Sequence, residues 1–409
     1  MTDDPFRGHA PGSAEYRRLI VGLFFAGVAT FAQLYSTQGV LPQIADDLEV
    51  APATAALTVS AATLGLAIAV IPWSAVADRI GRLQAMAIGV IAATALGLCA
   101  PLSSEIGLLL FLRLAEGMAL GAIPAVALAY LSEEVSARHA AAAAGSYIAG
   151  TTVGGLLGRI VAGVVGELTA WRAGVWAVAL LCVVAAVLFL WLTPRARGFV
   201  PRRRDERYGP TLLRRLLVPL RSPQQLALHA QGFLLMGAFV AVYNYLGFHL
   251  SAPPFLLPVW LVTLLFLAYL AGTVSSPWAG GLATRFGRYP VLLGALGLTA
   301  TGALLMLVPA VAVLLCGLLL FTAGFFAAHA VASGWAPTAA STETRAQASS
   351  LYYFGYYAGS SLFGWALGLV FGSTSWSLFV VLVVSMCLAA AVIAVAALRT
   401  TASGRPMAG

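Results

Sequence analysis

Long apolar runs, separated by short polar or Pro/Gly-rich breaks, occupy most of this chain. A bilayer core about 30 Å thick needs roughly 20 apolar residues in helical form. Because lipid offers no hydrogen-bond partners, and the runs lack the alternating pattern of a barrel, we predict that they are transmembrane helices. Twelve runs are long enough, at approximately 18–41, 54–77, 83–101, 107–131, 140–166, 172–194, 226–249, 257–281, 290–308, 311–335, 347–371 and 376–398. The break near Pro309 is the least pronounced.

The composition supports a membrane protein. Hydrophobic residues make up 60% of the chain and charged residues only 9%, whereas soluble domains carry about 25% charged residues. So little charge cannot cover a water-soluble surface. The first 16 residues are polar and the first apolar run is long enough to span, so no cleavable signal peptide is expected. The four cysteines lie in apolar runs without C-x-x-C spacing or paired histidines, and we predict no disulfide, metal site or cofactor.

Arginine supplies all 23 basic residues, and its distribution predicts the orientation. Basic residues concentrate in the cytoplasmic loops of membrane proteins. With both termini in the cytoplasm, 20 of the 23 arginines lie on that side, Arg172 lies outside, and Arg113 and Arg159 lie within spans. We therefore expect a multi-pass protein of the plasma (cell inner) membrane with both termini cytoplasmic.

A polar, arginine-rich segment divides the apolar runs into two sets of six. The predicted organisation is a cytoplasmic tail at 1–16, a six-helix bundle at 17–194, a basic linker at 195–225, a second bundle at 226–398 and a tail at 399–409. The linker suits contact with anionic lipid. It is not expected to bind nucleic acid, because it is tethered to the membrane and lacks interleaved aromatic residues. The protein is expected to be a monomer.

The two sets of six runs carry related sequences. A shift of 206 residues aligns 74–82 with 280–288, Gln38 with Asn244, Tyr147 with Tyr353, and Gly158 with Gly364. The nine-residue block is too long a match for chance at one topological position. The predicted fold class is therefore an all-α membrane protein with twelve transmembrane helices in two pseudo-symmetric six-helix bundles. Such repeats are typical of secondary transporters, which rock one half against the other around a site near the bilayer midplane.

The block at 74–82 resembles the G-x-L-a-D-R-x-G-R loop motif of the major facilitator superfamily, and the resemblance covers essentially the whole chain. It implies the major facilitator fold and a cytoplasmic gating motif that latches the halves in the outward-open state. Gly81 permits the tight turn between the second and third spans. Thr284 replaces the motif's aspartate in the second copy, which is expected to be the weaker latch. Alternatively, the arginines only set topology. The motif residues are Asp78, Arg79, Gly81, Arg82, Arg285, Gly287 and Arg288.

Shorter segments at 35–42, 154–159 and 243–245 resemble the acriflavine-sensitivity (YnfM-type) branch of the drug-exporter-like facilitators. The antiporter motif G-x-x-x-G-P-x-x-G-G of that group is altered here, because Gly155 replaces its proline and Arg159 its last glycine. The glycines of the fifth span are spaced by four, which favours close helix packing. Packing is therefore the expected role of this glycine-rich span.

Ionisable side chains inside spans are expensive and suggest function. Arg113 and Glu116 share a helix face at i and i+3, in a segment that resembles the family's R-x-x-Q-G motif with glutamate in place of glutamine. We predict that Arg113, Glu116 and Arg159 form one buried polar cluster in which Glu116 carries the coupling proton. A structural ion pair holding the fourth and fifth spans together is the alternative.

In the family, spans 1, 4, 7 and 10 line the substrate cavity, and span 11 here adds tyrosines. Aromatic rings with polar tips suit flat or amphipathic molecules, although tyrosines also anchor helices at membrane interfaces. For His329, which is alone, a contact between helices is the favoured role, and the cavity is the alternative. The cavity candidates, besides the cluster, are Gln33, Tyr35, Gln38, Tyr243, Asn244, Tyr245, His329, Tyr353 and Tyr356.

The predicted function is secondary active transport of a small organic compound by alternating access, in the form of proton-coupled efflux by a proton antiporter. The alternatives are a proton symporter or uniporter for a metabolite, an anionic one given the excess of arginine in the cluster, and a membrane sensor that transports nothing. The chain has no G-x-x-x-x-G-K-[ST] loop for ATP and no nucleophile–base pair within the spans, so no enzymatic activity is expected.

Overall fold

The computed structural model describes residues 8–10, 12–136, 139–198, 217–341 and 344–402, and within these ranges the chain forms helices and no strand. Two compact units divide the chain. One comprises Met1–Val50 and Leu57–Glu206, and the other Ala51–Ala56 and Arg207–Gly409. Most of the predicted linker and parts of both predicted tails lie outside the described residues.

Eight described helices form the N-terminal half. They are α1 (Ala14–Leu34), α2 (Leu41–Asp47), α3 (Pro52–Ile80), α4 (Arg82–Cys99), α5 (Ile106–Leu120), α6 (Ala122–Glu134), α7 (Ala140–Leu168) and α8 (Trp171–Leu192). The helices α1 and α2 together form the first span, and α5 and α6 the fourth.

Seven described helices form the C-terminal half. They are α9 (Pro223–Ser251), α10 (Val259–Thr263), α11 (Leu270–Phe286), α12 (Arg288–Leu305), α13 (Val311–Thr338), α14 (Arg345–Ser373) and α15 (Trp376–Ala402). A 3₁₀ segment at Leu264–Tyr269 joins α10 to α11 within the eighth span. The break predicted near Pro309 falls between α12 and α13, as expected.

Eleven helical segments of the described chain are long and apolar enough to cross a membrane, and each corresponds to a predicted span. The remaining predicted span, 347–371, is the 29-residue helix α14. Its tyrosines, serines and glycines make it less apolar than the other eleven. A helix of this length can still cross a bilayer, because about 20 residues suffice.

The predicted repeat is visible in the helices. The bounds of α4 and α12 differ by 206 residues at both ends. Within each half, the first long helix packs on the fifth and sixth spans: α1 on α7 and α8, and α9 on α14 and α15. The turns before α4 and α12 also match, because Gly81 and Gly287 have φ angles of 106° and 89°. Only glycine adopts such angles without strain, so the turn role predicted for Gly81 is confirmed.

Glycines of α7 allow its close contact with α1. A Cβ atom on Gly150, Gly154 or Gly158 would collide with the backbone of α1 at Phe24, Val28 or Ala32, respectively. The spacing of four residues on both helices places these contacts along one seam. The packing role predicted for the glycine-rich fifth span is therefore confirmed.

Candidate functional site

The first span is interrupted in the middle of the N-terminal half. Helix α1 ends at Leu34, residues 35–37 form a turn, and a 3₁₀ segment at Gln38–Val40 leads into α2. In a continuous helix, the carbonyl of Gln38 would accept a hydrogen bond from the N–H of residue 42. Pro42 has no N–H, so this bond cannot form. The backbone N–H of Gln38 donates to the carbonyl of Tyr35 instead of that of Leu34. The carbonyl oxygen of Leu34 is thereby released from the helix ladder.

Arg113 of α5 occupies this interruption and is completely buried. Its Nη2 donates to the carbonyl of Leu34 at 2.6 Å and its Nη1 to the carbonyl of Gln33 at 3.2 Å. Its Nε donates to the carbonyl of Thr58 on α3 at 3.1 Å. The guanidinium fork therefore ties three spans together through backbone oxygens, which a single ammonium group could not do with the same geometry.

Glu116 lies beside Arg113 and is also fully buried. Its Oε2 forms an ion pair with Nη1 of Arg113. Its Oε1 faces the carboxamide of Gln33, and both groups line the space left by the missing side chain of Gly97. A Cβ atom on Gly97 would overlap the Gln33 amide, so glycine at this point of α4 is required for the carboxyl and the amide to meet.

Arg159 of α7 is 2% exposed and approaches the same interruption from another side. Its Nε donates to Oε1 of Gln38 at 2.6 Å and its Nη1 to the carbonyl of Gly155 at 2.6 Å. The guanidinium carbon lies 3.9 Å from the centre of the Tyr35 ring, in a cation–π contact. Gly39 lets the first span come this close, because a Cβ atom there would collide with the carbonyl of Arg159.

The structure thus brings the three predicted ionisable residues around one segment of the first span, residues 33–38. Arg113 and Glu116 contact each other directly, whereas the contacts of Arg159 described above are with Gln38, Tyr35 and Gly155. The predicted cavity candidates Gln33, Tyr35 and Gln38 are each less than 5% exposed and form the shell of this cluster.

The three predicted residues of the seventh span lie inside the C-terminal bundle. Tyr245 donates to the carbonyl of Gly364 at 2.7 Å, and the amide of Asn244 donates to the same oxygen at 3.2 Å. The hydroxyl of Tyr243 shares a hydrogen bond of 2.8 Å with Thr322. All three side chains are at most 4% exposed, so they hold α9 against α13 and α14.

His329, Tyr353 and Tyr356 meet at an aromatic cluster between α13 and α14. The His329 ring lies nearly parallel to Phe325, with centroids 6.0 Å apart, and 4.7 Å from the ring of Tyr356. Its Nδ1 shares a hydrogen bond of 2.9 Å with the hydroxyl of Tyr352. Tyr353 adds an edge contact to His329 and remains 42% exposed. His329 is therefore not isolated between helices, but one ring of an aromatic set that reaches the surface of this half.

The gating motif forms ion pairs in its first copy. Arg82 pairs with Asp78 one turn earlier and with Glu133 of α6, where Nη2 lies 3.0 Å from Oε1. In the second copy, Arg288 donates to the Thr338 hydroxyl, Thr284 bonds to the backbone of Gly281, and no ion pair occurs in the part of that copy that the structure describes. Arg79 and Arg285 are exposed.

Two acidic residues at the end of α6 were missed by the sequence analysis. Glu133 is the partner of Arg82, and Glu134 is fully buried. Oε1 of Glu134 accepts hydrogen bonds of 2.7 Å from the backbone N–H groups of Arg197 and Gly198, at the start of the linker. The two adjacent glutamates at the end of a span were a signal visible in the sequence. Their partners, however, lie far away along the chain.

Comparison with known proteins gives consistent matches. Residues 23–263 match the Major Facilitator Superfamily. The inner membrane transport protein YnfM of Escherichia coli (strain K12) is 36% identical over 366 residues, covering 90% of this chain and 87% of YnfM. The MFS-type transporter YybF of Bacillus subtilis (strain 168) is 34% identical, covering 89% of each chain.

Solved structures of transporters share the fold. A bacterial homolog of the human lysosomal transporter Spinster, in an inward-facing and unoccupied conformation, superposes with a TM-score of 0.74 at 16% identity, over 98% of this chain and all of that one. The POT family transporter PepTSo superposes with a TM-score of 0.76 at 11% identity, over 95% of this chain and 99% of that one. The predicted fold class is confirmed.

Proposed function

The chain belongs to the major facilitator superfamily and is a membrane transporter, and we propose that it couples efflux of a small organic compound to proton entry through Glu116. The observation that carries this proposal is the fully buried Arg113–Glu116 pair on the broken first span. Of the carboxylates that the structure describes as buried, this one alone lies in the interior of a span rather than near its end.

The chemistry of the pair supports a proton carrier. Burial in an apolar surround disfavours a charged carboxylate, whereas the guanidinium of Arg113 favours it. Because Arg113 is held by backbone carbonyls of the first and second spans, a shift of those spans relative to α5 would change the distance between the two charges. Such a shift during transport would alternate Glu116 between an ion-paired carboxylate and a neutral acid.

Orientation and location belong to the same proposal. The arginine distribution supports cytoplasmic termini, and the likeness to YnfM supports the inner membrane. In that setting, the first copy of the gating motif closes the cytoplasmic side of its half through the Asp78–Arg82–Glu133 ion pairs. We also propose that the protein works as a monomer and that its linker lies along anionic lipid.

The test of proton coupling begins with a growth screen. Overexpression should raise tolerance to at least one toxic compound, and the tolerance should disappear when the proton gradient is collapsed. The compound found is then used with purified protein in proteoliposomes containing a pH-sensitive dye. Wild type should move protons when the compound is added, and Glu116→Gln should not.

A second measurement separates coupling from structure. Counterflow, the exchange of labelled for unlabelled compound without a pH gradient, should persist in Glu116→Gln, because the neutral amide resembles the protonated acid. Glu167→Gln is the matched control, since Glu167 is exposed on the same helix as Arg159. Proton-driven transport by Glu116→Gln at the wild-type rate would contradict the proposal, and loss of counterflow as well would assign the pair a structural role.

One observation favours a second candidate function. Two buried arginines and one carboxylate surround residues 33–38. An excess positive charge of this kind suits uptake or facilitated transport of an anionic metabolite. In that case cells overexpressing the protein would accumulate a labelled organic anion faster, and no compound would give the tolerance described above.

A further inference from the structure

We propose that the aromatic set of the C-terminal half, Phe325, His329, Tyr353 and Tyr356, is a stacking platform for an uncharged planar aromatic ligand with a hydrogen-bonding group at its rim. This inference rests on the transport function proposed above and specifies the substrate class. It concerns only residues of α13 and α14, which lie within one half.

The fold does not require aromatic side chains at these positions. Helices α7 and α14 begin and end 205 residues apart, one fewer than in the loop block, so Tyr353 and Tyr356 correspond to Ile148 and Thr151 of the N-terminal half. Under the 206-residue shift, Phe325 and His329 correspond to Ala119 and Ile123. The N-terminal half therefore has no aromatic residue at any of these four positions. The rings of the C-terminal half therefore serve something other than the shared helix packing.

The polar atoms of the platform face a polar environment rather than lipid. His329 lies nine residues before the end of α13, or about 14 Å along the helix axis, which places it at bilayer depth. Its Nδ1 bonds to Tyr352, while neither its Nε2 nor the hydroxyl of Tyr353 has a hydrogen-bond partner in the described chain. Unbonded polar groups in hydrocarbon cost several kcal/mol, so this surface faces water or a ligand.

The arrangement of the rings defines the ligand. Phe325 and His329 are within 9° of parallel, and the ring of Tyr356 is inclined by 42° to His329 at 4.7 Å. A planar ring can continue this stack, which a saturated ring of the same size cannot do. His329 Nε2 and the Tyr353 hydroxyl then offer hydrogen bonds at the rim of the ligand.

The charge of the ligand follows from the side chains around the platform. The described ring contacts and hydrogen bonds of His329 and Tyr353 involve Phe325 and tyrosines, with no acidic or basic partner. A charged ligand would lose hydration here without gaining an ion pair. An uncharged aromatic compound binds to this platform with the lowest desolvation cost.

Naphthol and its saturated analogue decahydronaphthol are suitable probes, because both are uncharged at neutral pH and each carries one hydroxyl group. Binding to the purified full-length protein in detergent is measured by calorimetry, without a pH gradient. We expect naphthol to bind at least about 5-fold more tightly than decahydronaphthol. Tyr356→Leu should remove most of the preference for naphthol over decahydronaphthol. His329→Phe keeps the stack but loses Nε2, so it should weaken naphthol binding several-fold while retaining that preference.

Phe371→Leu is the matched control, because Phe371 is an aromatic residue of the same helix that packs on Tyr245 and Trp376 instead. It should leave the preference for naphthol unchanged. Equal affinity for the two probes, absence of naphthol binding to wild type, or an equal loss in Phe371→Leu and Tyr356→Leu would overturn the proposal. Since no proton gradient is present, this result is independent of the coupling test on Glu116, and either proposal can fail alone.

Discussion

The first and seventh spans occupy equivalent positions in the two halves, yet only the first is broken. Residues 35–37 form a turn after α1, whereas the equivalent residues 241–243 continue the 29-residue helix α9 without interruption. The seventh span has no proline to match Pro42, and the residue facing the break differs as well. Arg113 donates to the released carbonyl of Leu34 and to that of Gln33, and its counterpart under the repeat is Leu319, which cannot bond to a carbonyl.

The two related halves therefore have different interiors. The N-terminal half buries charge, and its arginines donate to backbone oxygens, of which that of Leu34 is freed from a helix. The C-terminal half replaces Gln33 and Glu116 with Phe239 and Thr322, and fills the same region with stacked rings such as Phe239 on Phe325, 3.9 Å apart. We assign proton handling to the first interior and ligand stacking to the second.

Replacing Arg113 with the residue of the other half tests this contrast most severely. Arg113→Leu leaves the buried Glu116 without its cation, and we expect a loss of about 3–5 kcal/mol in unfolding free energy. The double variant Arg113→Leu/Glu116→Thr, which carries both residues of the C-terminal half, should recover part of that loss because no charge remains unpaired. Thermal unfolding of the detergent-purified protein measures both. Equal stability of the single and double variants would contradict the ion-pair account.

The glycine seam between α1 and α7 gives a smaller effect. Gly158→Ala places a methyl group against the backbone of Ala32, and we expect a cost of about 1–3 kcal/mol as the helices separate. Gly294→Ala in α12 is the control, since the described structure leaves open space around its Cβ position. Alanine there should be neutral or stabilising, because it forms helix better than glycine. Similar melting temperatures for the two variants would show that the seam is not tightly packed.

The smallest effect concerns the second copy of the gating motif. Thr284→Asp restores the acidic residue of the motif one turn before Arg288. Because both positions are exposed, the new pair should add only about 0.3–0.5 kcal/mol. A double-mutant cycle with Arg288→Gln, measured by thermal unfolding at low and high salt, isolates the pair, and Thr284→Asn controls for shape. A coupling that does not weaken in high salt would rule out a simple ion pair.

Much of the fold was predictable because each signal is local. The apolar runs are long compared with the bilayer, and the glycines at 81 and 287 mark turns that require positive φ angles. The buried roles of Arg113 and Glu116 were also predictable, since charge inside a span is rare and the two share a helix face. The interruption at residues 35–37 was not predicted, although Gly39 and Pro42 both disfavour a continuous helix there.

Partners distant along the chain were beyond local reasoning. Glu134 holds the N–H groups of Arg197 and Gly198 more than 60 residues away, and Glu133 pairs with Arg82 across 51 residues. His329 was predicted as a cavity residue or a helix contact, but its neighbours on α14 became visible only when the helices were packed.

By itself, the amino-acid sequence determined the membrane environment, the spans, the duplication and the family, because hydropathy, arginine placement and a loop motif are properties of short segments. Only the tertiary structure decided which helix carbonyls receive Arg113, which glycines touch a neighbouring backbone, and which rings meet around His329. These depend on distances between helices, and a buried charge or ring acquires its role from the groups that the fold places against it.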